Sequence, residues 1–463
     1  MEKLNINKTY IIGISLTSAL GGLLFGYDWV VIGGAKPFYE KFFDIAGSPA
    51  LQGWAMSSAL IGCIFGSMLS GFLSGRYGRK RLLILAALFF ILSALGTGAS
   101  NSFVTFIIYR ILGGLAIGLA SNLSPMYIAE VAPASMRGKL VSLNQLTIVI
   151  GILAAQWINW MIAKPVPPGF TDLQIFNSWN GQTGWRWMFW AEIVPASLFF
   201  VLMFFVPESP RWLMKYSKTG KSSNILTKIG GAKYAQQEIE NIRASFSSED
   251  QKSNFHLLRK SKYKKILVIG IVLAVFQQWC GINVIFNYAE EVFSAAGYEV
   301  SDILFNIVLT GSVNLIFTFV AIYTVDKLGR KPLMLFGAGG LTIIYAIMGL
   351  FYYIGFQGWP LLLLVILAIS TYAMSIAPVT WVLISEIFPN RIRGAAMAIA
   401  TLALWSASFV LVYSFPFLNV RFGASGTFWL FGGISLAGFI FILMKLPETK
   451  GKSLEEIENE LNN

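Results

Sequence analysis

The chain has 463 residues, of which 56% are hydrophobic and only 13% are charged. Its mean hydropathy is +0.64. Because about one-quarter of the residues of a soluble domain are charged, this composition excludes an ordinary soluble globular protein. The net charge of +12 would also suit a nucleic-acid-binding protein. Here, however, the cations lie in short connections between apolar runs, so membrane topology explains them and no nucleic-acid partner is expected.

Repeated apolar segments predict an all-α integral membrane protein, since a β-barrel would show alternation over roughly ten residues instead. An even number of spans places both termini on one side, and the lysine and arginine bias identifies that side as the cytoplasm of a multi-pass protein in the cell (inner) membrane. The twelve predicted transmembrane helices cover 10–32, 51–75, 82–99, 102–123, 139–163, 185–206, 265–290, 302–325, 332–354, 359–387, 394–418 and 425–445.

The spans divide into two six-helix halves, over 1–208 and 265–446. A basic, helix-compatible cytoplasmic linker at 209–264 joins them, and a cytoplasmic tail follows at 447–463. Residues 219–222 have the letters TGKS, which end a phosphate-binding loop, but the leading glycine and the preceding strand are missing. An ATP site, and with it a primary pump, is therefore not expected.

The first span contains one carboxylate, Asp28, among several glycines. A charge near the bilayer centre costs about 2.5–3.5 kcal/mol, so Asp28 is expected to face protein or water, unless it lies at headgroup level. Arg110 in the fourth span and Glu192 in the sixth are the other charges inside this half. Two alternatives follow: Asp28 and Arg110 form a static ion pair, or they separate in one conformation and Asp28 binds a proton.

The seventh span carries three amides, Gln277, Gln278 and Asn283, beside Trp279. In an unbroken helix Asn283 would point roughly 120–140° away from the glutamines, whereas a break at Gly281 would bring the amides together. Amides donate and accept hydrogen bonds, as the hydroxyls of a neutral sugar require. Alternatively, they hold helices together. Other spans add the candidates Gln145, Asn314 and Trp381.

Three motifs recur in the same order in the two halves, which predicts a parallel repeat with a site between the halves. Each half has a Gly-Arg-Lys loop and carboxylates at nearby helix ends. Such charges predict an ion-paired cytoplasmic latch that closes one state, although anchoring to lipid headgroups would also explain the cations. The predicted latch comprises Arg76, Arg79, Glu130, Arg137, Glu208, Asp326, Arg330, Glu386, Arg393 and Glu448.

Together these motifs resemble the sugar porter family of the major facilitator superfamily over essentially the whole chain. The resemblance rests on 25–28 (FGYD), 76–80 (RYGRK), 125–130 (PMYIAE), 207–211 (PESPR), 281–283 (GIN), 326–331 (DKLGRK) and 447–451 (PETKG). It implies that Asp28 is the carboxylate that is protonated, that Arg110 is its partner and that Glu192 belongs to the coupling set. It implies sugar contacts from Gln145, Gln277, Gln278, Asn283 and Trp381, with Phe25 and Asn314 as lining residues.

The resemblance therefore predicts proton-coupled symport of a monosaccharide, D-xylose or a related pentose or hexose such as D-glucose, by alternating access. Facilitative glucose carriers of animals have an amide at the Asp28 position, so the acid favours symport over uniport. A sugar sensor with the same fold is the third alternative. The chain departs from the family at Leu404 and Gly75, where an amide and an acidic or amide residue are usual, which leaves the sugar open and predicts a weaker first half of the latch.

No enzyme activity, catalytic residue, cofactor or metal site is expected. The expected partners are the monosaccharide, the proton and the lipid bilayer, and no obligate protein partner is implied.

Overall fold

The computed structural model describes residues 6–248, 258, 261–389 and 392–450, and all regular structure in this part of the chain is helical. A π-helical turn, Asn180–Gly184, precedes α7. The α-helices, numbered in chain order, are α1 Lys8–Phe42, α2 Pro49–Tyr77, α3 Arg79–Ala99, α4 Phe103–Val131, α5 Arg137–Ile162, α6 Asp172–Asn177, α7 Trp185–Trp190, α8 Ile193–Phe205, α9 Pro210–Lys215, α10 Thr219–Ser248, α11 Ser261–Trp279, α12 Ile282–Asn287, α13 Ala289–Ala295, α14 Val300–Leu328, α15 Arg330–Tyr353, α16 Trp359–Ala373, α17 Ile376–Ile387 and α18 Arg393–Lys445.

Within the described residues, 11 helical stretches are long and apolar enough to cross a membrane. The last of them, Gly394–Lys445, has 52 residues and would be roughly 80 Å long as a single straight helix, well over twice the thickness of a bilayer core. Gly423 interrupts it with φ of 63°. This stretch therefore holds two crossings, and the prediction of twelve spans is confirmed.

The first span is longer than predicted, and the seventh and tenth are interrupted. Helix α1 continues to Phe42, beyond the predicted end at residue 32, because Lys36 near its end is buried and paired with other protein groups instead of lying in water. The seventh span breaks at Gly281, whose φ is 87°. The tenth breaks between α16 and α17, where Pro378 has no N–H for the carbonyl four residues earlier.

We call α1–α8 the first half and α11–α18 the second half. In the first half, glycines let helices cross at backbone contact. A Cβ at Gly26 would overlap the carbonyl oxygen of Ile148 on α5, and one at Gly114 would overlap that of Ala59 on α2. Small residues of this kind allow close helix packing in membranes, and here they fix α1 and α4, the helices that carry Asp28 and Arg110.

We call the end of the bundle that carries the Gly-Arg-Lys loops the basic face, and the other end the opposite face. The halves meet towards the opposite face. There a Cβ at Gly33 on α1 would stand 2.9 Å from the Phe286 carbonyl oxygen of α12, and the Val166 N–H donates to Ser301 Oγ at 3.0 Å. Near the basic face, Gly394 at the start of α18 lies beside open space. The halves are therefore joined at the opposite face in this conformation.

Helices α9 and α10 lie in the connection between the halves at the basic face. The Asn7 N–H, just before α1, donates to the Ile229 carbonyl of α10 at 2.8 Å. A small apolar cluster that includes Ile11 and Leu226 continues this contact. The connection therefore packs on the start of α1 in the first half.

Candidate functional site

The predicted pair of charges in the first half is present. Arg110 Nη1 donates to Asp28 Oδ1, and Arg110 Nη2 donates to the Asp28 carbonyl at 3.3 Å. The two side chains are 2% and 1% exposed. In the described part of the chain, Asp28 Oδ2 has no hydrogen-bond partner. Asp28 therefore keeps one oxygen atom available while it is paired.

Glu192, the third predicted charge, lies where the sixth span changes from α7 to α8. It is buried and interacts electrostatically with both Asp28 and Arg110. One turn earlier, the Phe189 ring lies 5.7 Å from the Arg110 guanidinium. The structure therefore brings all three predicted charges together, with two carboxylates near one guanidinium in a buried part of the protein.

The three amides of the seventh span form a hydrogen-bonded chain. Gln277 Nε2 donates to the Ala377 carbonyl at 3.2 Å, Gln278 Nε2 to Gln277 Oε1 at 3.3 Å, and Asn283 Nδ2 to Gln278 Oε1 at 2.6 Å. The break at Gly281 makes this possible, because its left-handed backbone turns Asn283 back towards the glutamines. The chain of amides reaches α17 one turn before Trp381, which is also a predicted site residue.

The remaining predicted sugar residues lie on separate helices. Gln145 on α5 is half-buried, Asn314 on α14 is buried and Trp381 is 41% exposed. Phe25 on α1 contacts the second half, since its ring centroid lies 5.9 Å from that of Trp405 on α18. Phe25 is thus the predicted lining residue for which the structure records a ring contact across the two halves.

Sequence reasoning missed Trp29, which follows Asp28 directly. Its ring lies 6.0 Å from that of Trp405, so these two tryptophans meet across the halves. A cavity reaches from Arg110 to Asn287 on α12, and Trp29 lines it. Trp405 Nε1 is buried and has no hydrogen-bond partner among the described residues. The position of Trp29 next to Asp28 in the sequence could have indicated its role, but its partner Trp405 comes from a distant part of the chain.

At the basic face, equivalent ion pairs occur in the two halves. Arg79 Nη2 lies 2.7 Å from Glu130 Oε1, and Arg330 Nη2 lies 3.1 Å from Glu386 Oε1. Each pair belongs to a single half. The pairs therefore stabilise each half internally in this conformation.

Glu208 and Glu448, the last carboxylates of the repeated motifs, bind backbone N–H groups. Glu208 accepts from the Arg79 N–H at 2.9 Å, and Glu448 from the Arg330 N–H at 3.0 Å. They thereby cap the starts of α3 and α15, where the helix dipole favours a negative charge. Partial burial raises the pKa of Glu448, but backbone N–H donors outweigh it, so its pKa is lowered and it stays ionised at neutral pH.

The remaining predicted latch residues are Arg76, Arg137, Asp326 and Arg393. Arg137 is exposed at the start of α5, and the Arg76 guanidinium lies 5.5 Å from the ring of the neighbouring Tyr77. The side chains of Asp326 and Arg393 lie outside the described residues.

Comparison with known proteins identifies the class. A family profile described as "Sugar (and other) transporter" matches residues 14–461. The chain therefore belongs to the sugar transporter family, as predicted, and its fold and relatives are those of transporters, not of enzymes.

The similarity to individual relatives extends over almost the whole chain. The chain is 41% identical to the D-xylose-proton symporter of Escherichia coli K12, over 98% of this chain and 96% of that protein. It is 40% identical to the arabinose-proton symporter of Bacillus subtilis 168, over 97% and 94%. The solved inward open conformation of the E. coli xylose transporter XylE matches with a TM-score of 0.84 and 39% identity, over 97% of this chain and 100% of that one.

Proposed function

We propose that this protein carries a monosaccharide, D-xylose or a related pentose or hexose, across the membrane together with a proton by alternating access. The observation that carries the proposal is the buried Asp28–Arg110 pair beside a second carboxylate, Glu192. The similarity to two sugar–proton symporters supports it.

The charges of the site suit proton coupling. Two buried carboxylates lie near one guanidinium, so a single proton balances their charge, and an uncompensated charge in a buried site is costly. In this mechanism Asp28 takes the proton when its pair with Arg110 separates. Helix α1 links protonation of Asp28 to the movement of the halves, because it also carries Phe25 and Gly33 at the contact between them.

The amide chain suits a sugar. Each amide that is bonded to another amide can exchange that partner for a sugar hydroxyl, so no polar group is left unpaired in either state. Aromatic side chains supply flat apolar walls, as small-molecule sites require. The proposed sugar-binding residues are Gln145, Gln277, Gln278, Asn283, Trp381, Phe25 and Asn314, joined by Trp405.

We assign the basic face to the cytoplasm of a cell (inner) membrane, because lysine and arginine concentrate there. Both termini are then cytoplasmic, and the halves are closed towards the outside. The boundaries at 208, 264 and 446 separate the two halves, the linker and the tail. The ion pairs at the basic face keep each half rigid. When the inner side closes, the proposed latch is completed by Arg76, Arg137, Asp326 and Arg393. No obligate protein partner is part of this mechanism.

Uptake into proteoliposomes tests the proposed function. Purified protein should accumulate labelled D-xylose, L-arabinose or D-glucose when the outside is made acidic. With one proton per sugar, a gradient of one pH unit supports about tenfold accumulation. An ionophore that collapses the gradient is the control and should return the sugar to equal concentrations. Equilibration that is indifferent to the gradient would indicate a uniporter, and binding without any uptake would indicate a sensor.

A further inference from the structure

A second charged cluster joins the two halves at the opposite face. Lys36 Nζ on α1 lies 3.0 Å from Glu40 Oε2 on the same helix, 3.2 Å from Glu290 Oε2 and 2.7 Å from Glu291 Oε1 on α13. The Lys36 side chain is 3% exposed. Eight residues of helix, about 12 Å, separate Lys36 from Asp28. The cluster is therefore distinct from the proposed proton-coupling site.

The groups around this cluster do not balance its charge. The Gln52 amide of α2 donates to Glu40 Oε2 at 3.3 Å. The Tyr288 ring, next to α13, lies 5.9 Å from Lys36 Nζ, and Tyr39 is the neighbouring phenol on α1. These groups are neutral at physiological pH. One ammonium group is thus surrounded by three carboxylates.

Two other cations of the first half, Lys41 and Arg110, have their own partners. Lys41 at the end of α1 lies 3.1 Å from Asp172 of α6, in the same half. Arg110 is bonded to Asp28. Neither cation is therefore available to the cluster.

Two carboxylate oxygens of the cluster have room for a proton. Glu40 Oε1 and Glu291 Oε2 are buried and have no hydrogen-bond partner among the described residues. The Glu40 side chain is only 7% exposed. A buried, unbonded carboxylate oxygen is unfavourable when the group is ionised, and binding of a proton reduces the excess negative charge of the cluster from two to one.

We propose that Lys36, Glu40, Glu290 and Glu291 form an outer latch that holds the opposite face closed and binds a proton as it closes. Lys36 belongs to the first half, whereas Glu290 and Glu291 belong to the second. Opening that face separates α1 from α13 and breaks both inter-half ion pairs. The proton is taken up as this face closes and is released to the same side as it opens, so the latch responds to protons without carrying them across the membrane.

The direction of the pH effect follows from burial. Desolvation raises the pKa of Glu291 in the closed state, and the nearby Lys36 only partly opposes this. When the face opens, water reaches Glu291 and its pKa returns towards the ordinary value. The closed state therefore binds more protons and is stabilised as the pH falls. This stabilisation is lost as the pH rises through the raised pKa.

Distances between spin labels test the latch in the full-length protein in lipid nanodiscs. Cysteines at Gly47, between α1 and α2, and at Gln357, between α15 and α16, would carry the labels, since both positions are exposed. Lys36→Met should lower the closed-to-open ratio about tenfold or more, because the carboxylates lose their cation. Lys36→Arg should keep the face closed. Lys41→Met is the matched control and should leave the ratio unchanged.

The proton part is tested by repeating the measurement from pH 5 to pH 9. The closed fraction should fall with rising pH, and Glu291→Gln should flatten this dependence. Measurements in both the wild-type and the Asp28→Asn backgrounds separate the effect of pH on the latch from any effect of pH through Asp28. A Lys36→Met protein that stays as closed as the wild type would overturn the latch. An unchanged pH dependence in Glu291→Gln would overturn the proposal that the latch binds a proton. Failure of gradient-driven uptake would overturn the proposed symport instead, since these distances do not depend on it.

Discussion

Replacement of Asp28 by asparagine is expected to abolish accumulation of sugar against its gradient while leaving exchange intact. Asparagine preserves the size of the side chain and one acceptor for Arg110, but it cannot gain or lose a proton. Where the wild type accumulates sugar about tenfold for a gradient of one pH unit, the variant should reach a concentration ratio of one. Labelled xylose uptake into proteoliposomes measures this ratio.

Counterflow separates a loss of coupling from a loss of folding. Liposomes loaded with unlabelled sugar should still take up labelled sugar through the Asp28→Asn protein. Asp172→Asn is the matched control, because Asp172 is exposed at the opposite face and pairs with Lys41 outside the site; it should accumulate sugar like the wild type. Full accumulation by Asp28→Asn would show that the Asp28–Arg110 pair is only structural.

Replacement of Gly33 by phenylalanine is expected to keep the opposite face from closing. A Cβ at Gly33 would stand 2.9 Å from the Phe286 carbonyl oxygen and 3.3 Å from that of Asn287, both in the second half. Overpacking of this kind costs about 1–3 kcal/mol or more, which corresponds to a decrease of roughly 5- to 150-fold in the closed-to-open ratio. The initial rate of uptake should fall by a similar factor.

Sugar binding should survive this substitution, because the amides of the seventh span remain in place. Equilibrium dialysis with labelled sugar measures it. Gly13→Phe on the same helix is the control, since no atom lies within 4 Å of a Cβ at that position, and its uptake should match the wild type. Wild-type uptake by Gly33→Phe would contradict closure through α1 and α12.

Much of this architecture can be predicted because its signals are local. Apolar length defines a span, and the repeated motifs define two halves. Asp28 and Arg110 are recognisable as partners because few charges occur inside apolar runs, and such charges need each other. Gly281 marks the break that brings Asn283 to the glutamines, since glycine readily adopts the left-handed conformation.

Other features depend on contacts between distant parts of the chain. Lys36 and Glu40 have the spacing of an exposed helical pair, and their burial follows only from the docking of α13, which is 254 residues away in sequence at Glu290. The contact of Trp29 with Trp405 likewise needs the two halves to meet. Ion pairs within a half, such as Arg79–Glu130, show their partners only once the helices are packed.

The movement of protons when sugar is added shows whether transport is coupled to protons through Asp28. A pH electrode in a lightly buffered suspension of proteoliposomes, with the membrane potential clamped by potassium and valinomycin, records it. Proton-coupled transport through Asp28 predicts that xylose or the preferred sugar makes the medium more alkaline with the wild type and not with Asp28→Asn. Sugar entry without any proton movement in the wild type would contradict it.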